Sequence, residues 1–199
     1  LINEIGVWVL REACAAAIKW PETIKVAVNL SPVQFKSKTL VEDIVQALAQ
    51  SGLSPSRLEL EITESVLLTN SEQTLAILHR FRDIGITIAM DDFGTGYSSL
   101  SYLQSFPFDR IKIDRSFVRE MQTRPNSAAI IKAISDLGLS LGISTTAEGV
   151  ETVEQLEQLR ESGCSVAQGY LFSHAVPQSQ IPALIRLIER ANARDSRAA

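Results

Sequence analysis

Apolar residues along this chain follow two alternating rhythms. One recurs every three or four residues, as on one face of a helix, and the other is a short run or strict alternation, as in a strand. The first rhythm predicts a helix over residues 7–20, stopped by Pro21, with the apolar face Val7, Leu10, Cys14 and Ile18. It predicts further helices over residues 40–50 behind Thr39, 71–81, 98–103, 127–137, 153–161 with Gly163 as its stop, and 180–191. A polar tail over about residues 193–199 is expected to fray. The second rhythm predicts strands at residues 25–30, 57–62, 86–90, 110–114, 143–147 and 165–167.

Strands that alternate with helices define an α/β chain with a mainly parallel sheet. Six strands fall short of the eight that close a (β/α)8 barrel. No exact repeat, Pro-rich linker or low-complexity tract divides residues 1–199, so one domain is expected. With 199 residues and 45% hydrophobic content the chain can bury a sizeable core. The formal net charge of -4 argues against a nucleic-acid polymer as partner, because neutralising phosphates takes clustered Lys and Arg. Cys14 and Cys164 lie far apart with no CxxC, which points away from zinc and disulfides and toward a reducing, cytoplasmic setting. No apolar run reaches membrane-span length, although a parent protein could be membrane-anchored. The chain opens at Leu1 without an initiator Met and reads as a piece of something longer.

Polar residues mark the carboxyl end of nearly every predicted strand: Asn29; Glu61 with Glu64; Asp91 with Asp92; Lys112 with Asp114; Glu148 with Glu151; and Gln168. Strand ends of a β/α barrel face a common centre, so such residues converge on one mouth. Amide and carboxylate oxygens suit Mg²⁺ or Mn²⁺ better than zinc, and the only histidines, His79 and His174, lie in a helix and beyond the last strand. Asp91 and Asp92 open a Gly-rich loop after an apolar strand. Adjacent strand residues point to opposite faces, so the two can share a site only where the strand bends. The same pair could equally cap a helix in a polar loop. Lys112 lies between Ile111 and Ile113 and is expected to point into the acidic mouth, with Asp114 holding it; an outward, solvated side chain is the alternative.

The ordered segments Asn29-Leu30-Ser31-Pro32, Glu61-Ile62-Thr63-Glu64, Asp91 to Leu100, Ile111-Lys112-Ile113-Asp114, Ala147 to Thr152 and Gln168 to Phe172 closely resemble the EAL-domain family of cyclic di-GMP phosphodiesterases. The resemblance implies a modified TIM (β/α)8-type barrel that hydrolyses cyclic di-GMP to linear pGpG with two Mg²⁺ or Mn²⁺ ions. Ca²⁺, larger and looser in its coordination, is expected to inhibit. Carried over by position, Asn29, Glu61, Asp91 and Asp92 would be metal ligands, with Asp91 bridging. Glu148 would act as general base and Lys112 would hold the water or scissile phosphate. Gln168, Asp114 and Glu151 would contact substrate, and Glu64 would anchor the loop from Phe93 to Leu100. The family's Glu-Ala-Leu motif is absent before Asn29, which truncation of two upstream strands explains better than a degenerate site. The segment alone is therefore expected to be nearly inactive. A homodimer, and sensory or diguanylate cyclase (GGDEF) domains in the parent, are further family expectations. The runner-up is a catalytically silent cyclic di-GMP sensor; an unrelated Mg²⁺-dependent barrel enzyme fits the ligand types but not the ordered motifs.

Overall fold

The computed structural model describes residues 1–67, 71–94, 103 and 105–198. Six strands, β1 (Val26–Leu30), β2 (Leu58–Thr63), β3 (Thr87–Phe93), β4 (Arg110–Ile113), β5 (Ser144–Ala147) and β6 (Val166–Ala167), form one sheet in sequence order with every neighbouring pair parallel. Crossovers between parallel strands are right-handed, so an order that never reverses steps each helix onto the same face. The other face becomes the inside of a curving wall, as in a barrel; a doubly wound sheet would reverse its order. Among the described residues β1 and β6 are the edges.

The helices are α1 (Ile2–Ala17), α2 (Leu40–Ser51), α3 (Ser71–Ile84), α4 (Arg115–Glu120), α5 (Pro125–Leu141), α6 (Val153–Glu161) and α7 (Ile181–Ala198). Strand periodicity sorts the side chains between the two faces. In β2, Leu58, Leu60 and Ile62 are fully buried, while Glu59 and Glu61 alternate with them and meet cations of β4 on the inner face. Ile88, Ile111 and Ile113 join Ile44, Leu78 and Phe81 in the apolar layer under the helices. The inner face has a polar floor, where Arg110 Nε lies 3.1 Å from Glu59 Oε2 and Arg110 Nη1 donates to Thr146 Oγ1 at 3.1 Å.

Most elements fall where patterning put them, and the departures have local causes. α1 begins at Ile2 and ends at Ala17, so its buried stripe is Leu10, Cys14 and Ala17. Ile18, counted in the expected stripe, lies past the helix end and is 43% exposed. Arg57 precedes β2 instead of opening it: its buried guanidinium donates to Ala17 O (2.7 Å), Ile24 O (2.9 Å) and Trp20 O (3.3 Å), tying the end of α1 to the segment that leads into β1. α5 is longer than expected at both ends, from Pro125 at its first turn to the left-handed cap Gly142 at φ 70°. α4 went unforeseen, and α7 continues past Ala191 to Ala198. The helix expected over 98–103 falls almost wholly outside the described residues.

Arg57→Met should lower unfolding stability by roughly 2–4 kcal/mol, since a side chain of similar reach removes all three hydrogen bonds from the buried guanidinium. Urea denaturation checks this, and an unchanged midpoint would show that the plug under α1 contributes nothing.

Candidate active site

Lys112 organises the mouth. The strand places it on the inner face between Ile111 and Ile113, and it is only 4% exposed. Its Nζ lies 2.6 Å from Glu148 Oε1, 2.8 Å from Glu61 Oε2 and 2.9 Å from Asp91 Oδ1. Burial presses the ammonium toward the neutral form, but the carboxylates of Glu148, Glu61 and Asp91 outweigh it and push the lysine above its ordinary range. It is a fixed cation at any physiological pH. Three strands and one strand exit thus deliver four charged groups to a single point, the expected inward direction for Lys112. Asp114 does not hold it: its carboxylate caps α4 by accepting from Ser116 N at 3.0 Å and from the Ser116 hydroxyl.

The bend that Asp91 and Asp92 need is a β-bulge. Met90 pairs with Ile111 but Phe93 pairs with Ile113, so β3 spends one extra residue between them. Asp92 sits at φ 55°, among the described residues the only non-glycine with positive φ. Aspartate tolerates this region because its short polar side chain avoids the worst clashes. The extra residue turns both carboxylates to the same side. Oxygens of Asp91, Asp92 and Glu148 all lie within 4.8 Å of one another, a spacing that could hold a metal ion. Asn29 pairs in register with Glu61 and is exposed on β1. Burial and the neighbouring charges of Asp91 and Asp114 raise the Asp92 carboxyl; burial likewise raises Glu148, against the pull of Lys112.

The rim is built by close backbone contacts. The Glu148 amide donates to Ile113 O at 3.1 Å, which anchors this carboxylate to the end of β4. Gly149, at φ 71°, lets the next loop pass the start of α4, where a Cβ would come 2.6 Å from that of Arg115. At Gly169 a Cβ would overlap the Val150 backbone, and Val150 N donates to Gln168 O at 3.0 Å. Thr152 and Gln155 form a capping box on α6, and Gln155 Oε1 also accepts from Glu151 N at 2.8 Å. Beside the acidic cluster, Asp114, Arg115, Ser116, Arg119, Gly149 and Glu151 line a cavity of about 470 Å³.

The structure therefore gathers Glu61, Asp91, Asp92, Lys112 and Glu148 into one cluster, with Asn29 beside Glu61 and with Asp114 and Glu151 on the adjoining cavity. Gln168 is exposed at the exit of β6, hydrogen-bonded through its backbone to Ala147 and Val150. Glu64 is buried in the turn after β2, but the loop it was expected to anchor lies mostly outside the described residues. Sequence reading missed Arg115, Ser116 and Arg119. Their spacing of one and four residues along a helix opened by Asp114 was the available signal.

Asp92→Asn should stabilise the metal-free protein at neutral pH. A raised carboxyl pKa means that ionisation costs folding stability above the unfolded-state pKa, so the gain is complete above the folded pKa and vanishes below the ordinary aspartate range. Asparagine also accepts positive φ. Melting temperatures compared between pH 3 and 8 check the sign; a lower melting temperature for the variant at neutral pH would contradict it.

A family model for the EAL domain matches residues 1–175. A bifunctional diguanylate cyclase/cyclic di-GMP phosphodiesterase, MucR of Pseudomonas aeruginosa, is 42% identical over 189 residues, spanning 93% of this chain and 28% of that protein. The solved MucR phosphodiesterase in complex with cyclic di-GMP superposes with a TM-score of 0.84 at 42% identity over 91% of this chain and 75% of that one. The manganese/cyclic di-GMP complex of BlrP1 from Klebsiella pneumoniae superposes with a TM-score of 0.79 at 33% identity, over 86% of this chain and 44% of that one. The chain spans about a quarter of the length of the curated relatives it matches. These neighbours carry a TIM-barrel-like fold, which agrees with the unreversed parallel sheet. On a match that covers most of its length, the chain belongs to the EAL domain family.

Proposed function

We propose that this chain carries the larger part of a cyclic di-GMP phosphodiesterase site, which adds water across one phosphodiester bond to give linear pGpG. The observation that carries this is the cluster itself: three carboxylates around one buried ammonium, with Asp92 beside two of them, leave an excess of negative charge and of hard oxygen donors. Such a mouth repels a phosphodiester unless divalent cations occupy it. Relatives solved with cyclic di-GMP and manganese or calcium support the same assignment.

Asn29, Glu61, Asp91 and Asp92 would hold two Mg²⁺ or Mn²⁺ ions. Bound there, the ions supply Lewis-acid charge against the phosphate oxygens and lower the pKa of water. Glu148 takes the proton from the attacking water, and burial, by raising its carboxyl, makes it a better base near neutral pH. Lys112, pinned as a cation, offsets charge on the scissile phosphate and does not act as a proton donor. As the water oxygen bonds to phosphorus, the bond to the ribose 3′ oxygen breaks, and that oxygen takes a proton from solvent to leave as the 3′ hydroxyl. The cavity beside the cluster, with Asp114, Arg115, Arg119 and Glu151, offers charged partners for a guanine edge, and Gln168 is tied to the same loop through its bond from Val150 N.

The domain is proposed to act in the cytoplasm, where the nucleotide would be met; among the described residues no helix is long and apolar enough to cross a membrane. A silent sensor would keep nucleotide binding and lose the metal carboxylates, and here they are present. In a chain with a closed barrel, Asp91→Asn should cut hydrolysis by about 10³-fold or more, equivalent to about 4 kcal/mol on the barrier, while nucleotide binding persists. Chromatographic assay of pGpG reads the first and calorimetry the second; near-normal turnover would sink the metal assignment. In the same assay Mg²⁺ or Mn²⁺ should support turnover and Ca²⁺ should suppress it, because the larger ion fills the site in a looser geometry. Full activity with Ca²⁺ would contradict the ligand reading.

A further inference from the structure

Asn29 lies on β1, one residue before the strand ends at Leu30. The direction of a side chain at a strand exit depends on how the turn beyond it is held. Here the chain bends tightly through Ser31-Pro32-Val33 into a single 3₁₀ turn at Gln34–Lys36. Gln34 closes the preceding turn, Ser31 to Gln34, twice: its backbone amide donates to Ser31 O at 2.9 Å, and its side-chain Oε1 accepts from Ser31 N at 2.9 Å. The Ser31 hydroxyl accepts from Val33 N at 3.4 Å. The Ser31–Gln34 turn is thus closed by one backbone bond and doubled by the Gln34 side chain, which stands in for a backbone acceptor at Ser31 N.

Gln34 is itself only 4% exposed, an unusual setting for an amide on a surface turn. Its side-chain amide rests on Gly6 of α1 so closely that a methyl there would overlap it. The absence of a side chain at Gly6 is what lets the helix and the amide meet. α1 is fixed in turn by Leu10, Cys14 and Ala17 in the core and by Arg57 on the Ala17 carbonyl.

We propose that Gln34 is a positioning residue for the metal site: seated on α1, it holds the Ser31 amide and thereby fixes the β1 exit and the direction of Asn29. The inference rests on the reading of Asn29 as a metal ligand. Groups that orient a ligand from behind typically change metal affinity 10–100-fold when removed.

The test uses the full chain and Mn²⁺ alone as probe, with affinity from electron paramagnetic resonance titration and Ser31 amide exchange from NMR. Gln34→Leu, which keeps the buried volume without the acceptor, should expose the Ser31 amide to exchange and weaken Mn²⁺ binding about 10-fold or more. Gly6→Ala should shift both readouts the same way with little change in melting temperature, because it displaces only the end of a flexible side chain. Gln34→Glu, which retains the acceptor oxygen, should bind Mn²⁺ within a few-fold of the parent. Wild-type Mn²⁺ affinity in Gln34→Leu and Gly6→Ala, beside weakened binding in Asn29→Ala, overturns the inference alone. Unaltered binding in Asn29→Ala removes the ligand reading and the inference together.

Discussion

A single ammonium buried among carboxylates sets the terms for the rest of this molecule. Lys112 has lost nearly all contact with water, and an isolated charge in that position would cost several kcal/mol. Glu61, Asp91 and Glu148 at 2.6–2.9 Å offset that cost and leave anionic oxygen to spare. None of the three is close to Lys112 in sequence. The contact exists only because β2, β3 and β4 lie side by side in parallel and the exit of β5 hangs from Ile113 O. The fold holds charges together that would otherwise disperse, and the surplus negative charge is what invites cations.

The position of the cluster follows from the sheet. Because strand order never reverses, every strand delivers its carboxyl end to the same side, and alternation turns every second residue inward. The inner face is polar in two tiers: Arg110 with Glu59 and Thr146 below, Lys112 with its three carboxylates above. Arg110 neutralises a glutamate that burial pushes toward its protonated form, so the lower tier is closer to balance than the upper. The imbalance sits at the open end, where a phosphodiester and its cations can reach it.

Much of this was legible in the chain. Lys112 announced itself through its flanking isoleucines, since a lysine in a buried strand must point at something anionic. The polar residue at each strand exit gave the convergence, and the Asp91-Asp92 pair required a bend. The form of that bend, an extra residue in β3 with Asp92 at positive φ, was not legible, because bulges arise from pairing register and no local composition encodes that register. Helix α4 was missed because Asp114 read as the end of a strand when it is the cap of the next element. Arg57 read as the first residue of a strand, and Gln34 stood out in no pattern. Their burial depends on where α1 lies, which pattern alone does not reveal. Local chemistry was readable, and long-range backbone contacts were not.

The central claim is that the oxygens around Lys112 form a seat for divalent cations. Anomalous diffraction at the manganese edge from crystals grown with Mn²⁺ tests it most directly, because it locates the ions without reference to activity. The account predicts Mn²⁺ density against Asp91 and Asp92, with Glu61 and Asn29 drawn to it. Manganese found only elsewhere on the protein, with Lys112 still held by Glu61, Asp91 and Glu148 as here, would contradict it.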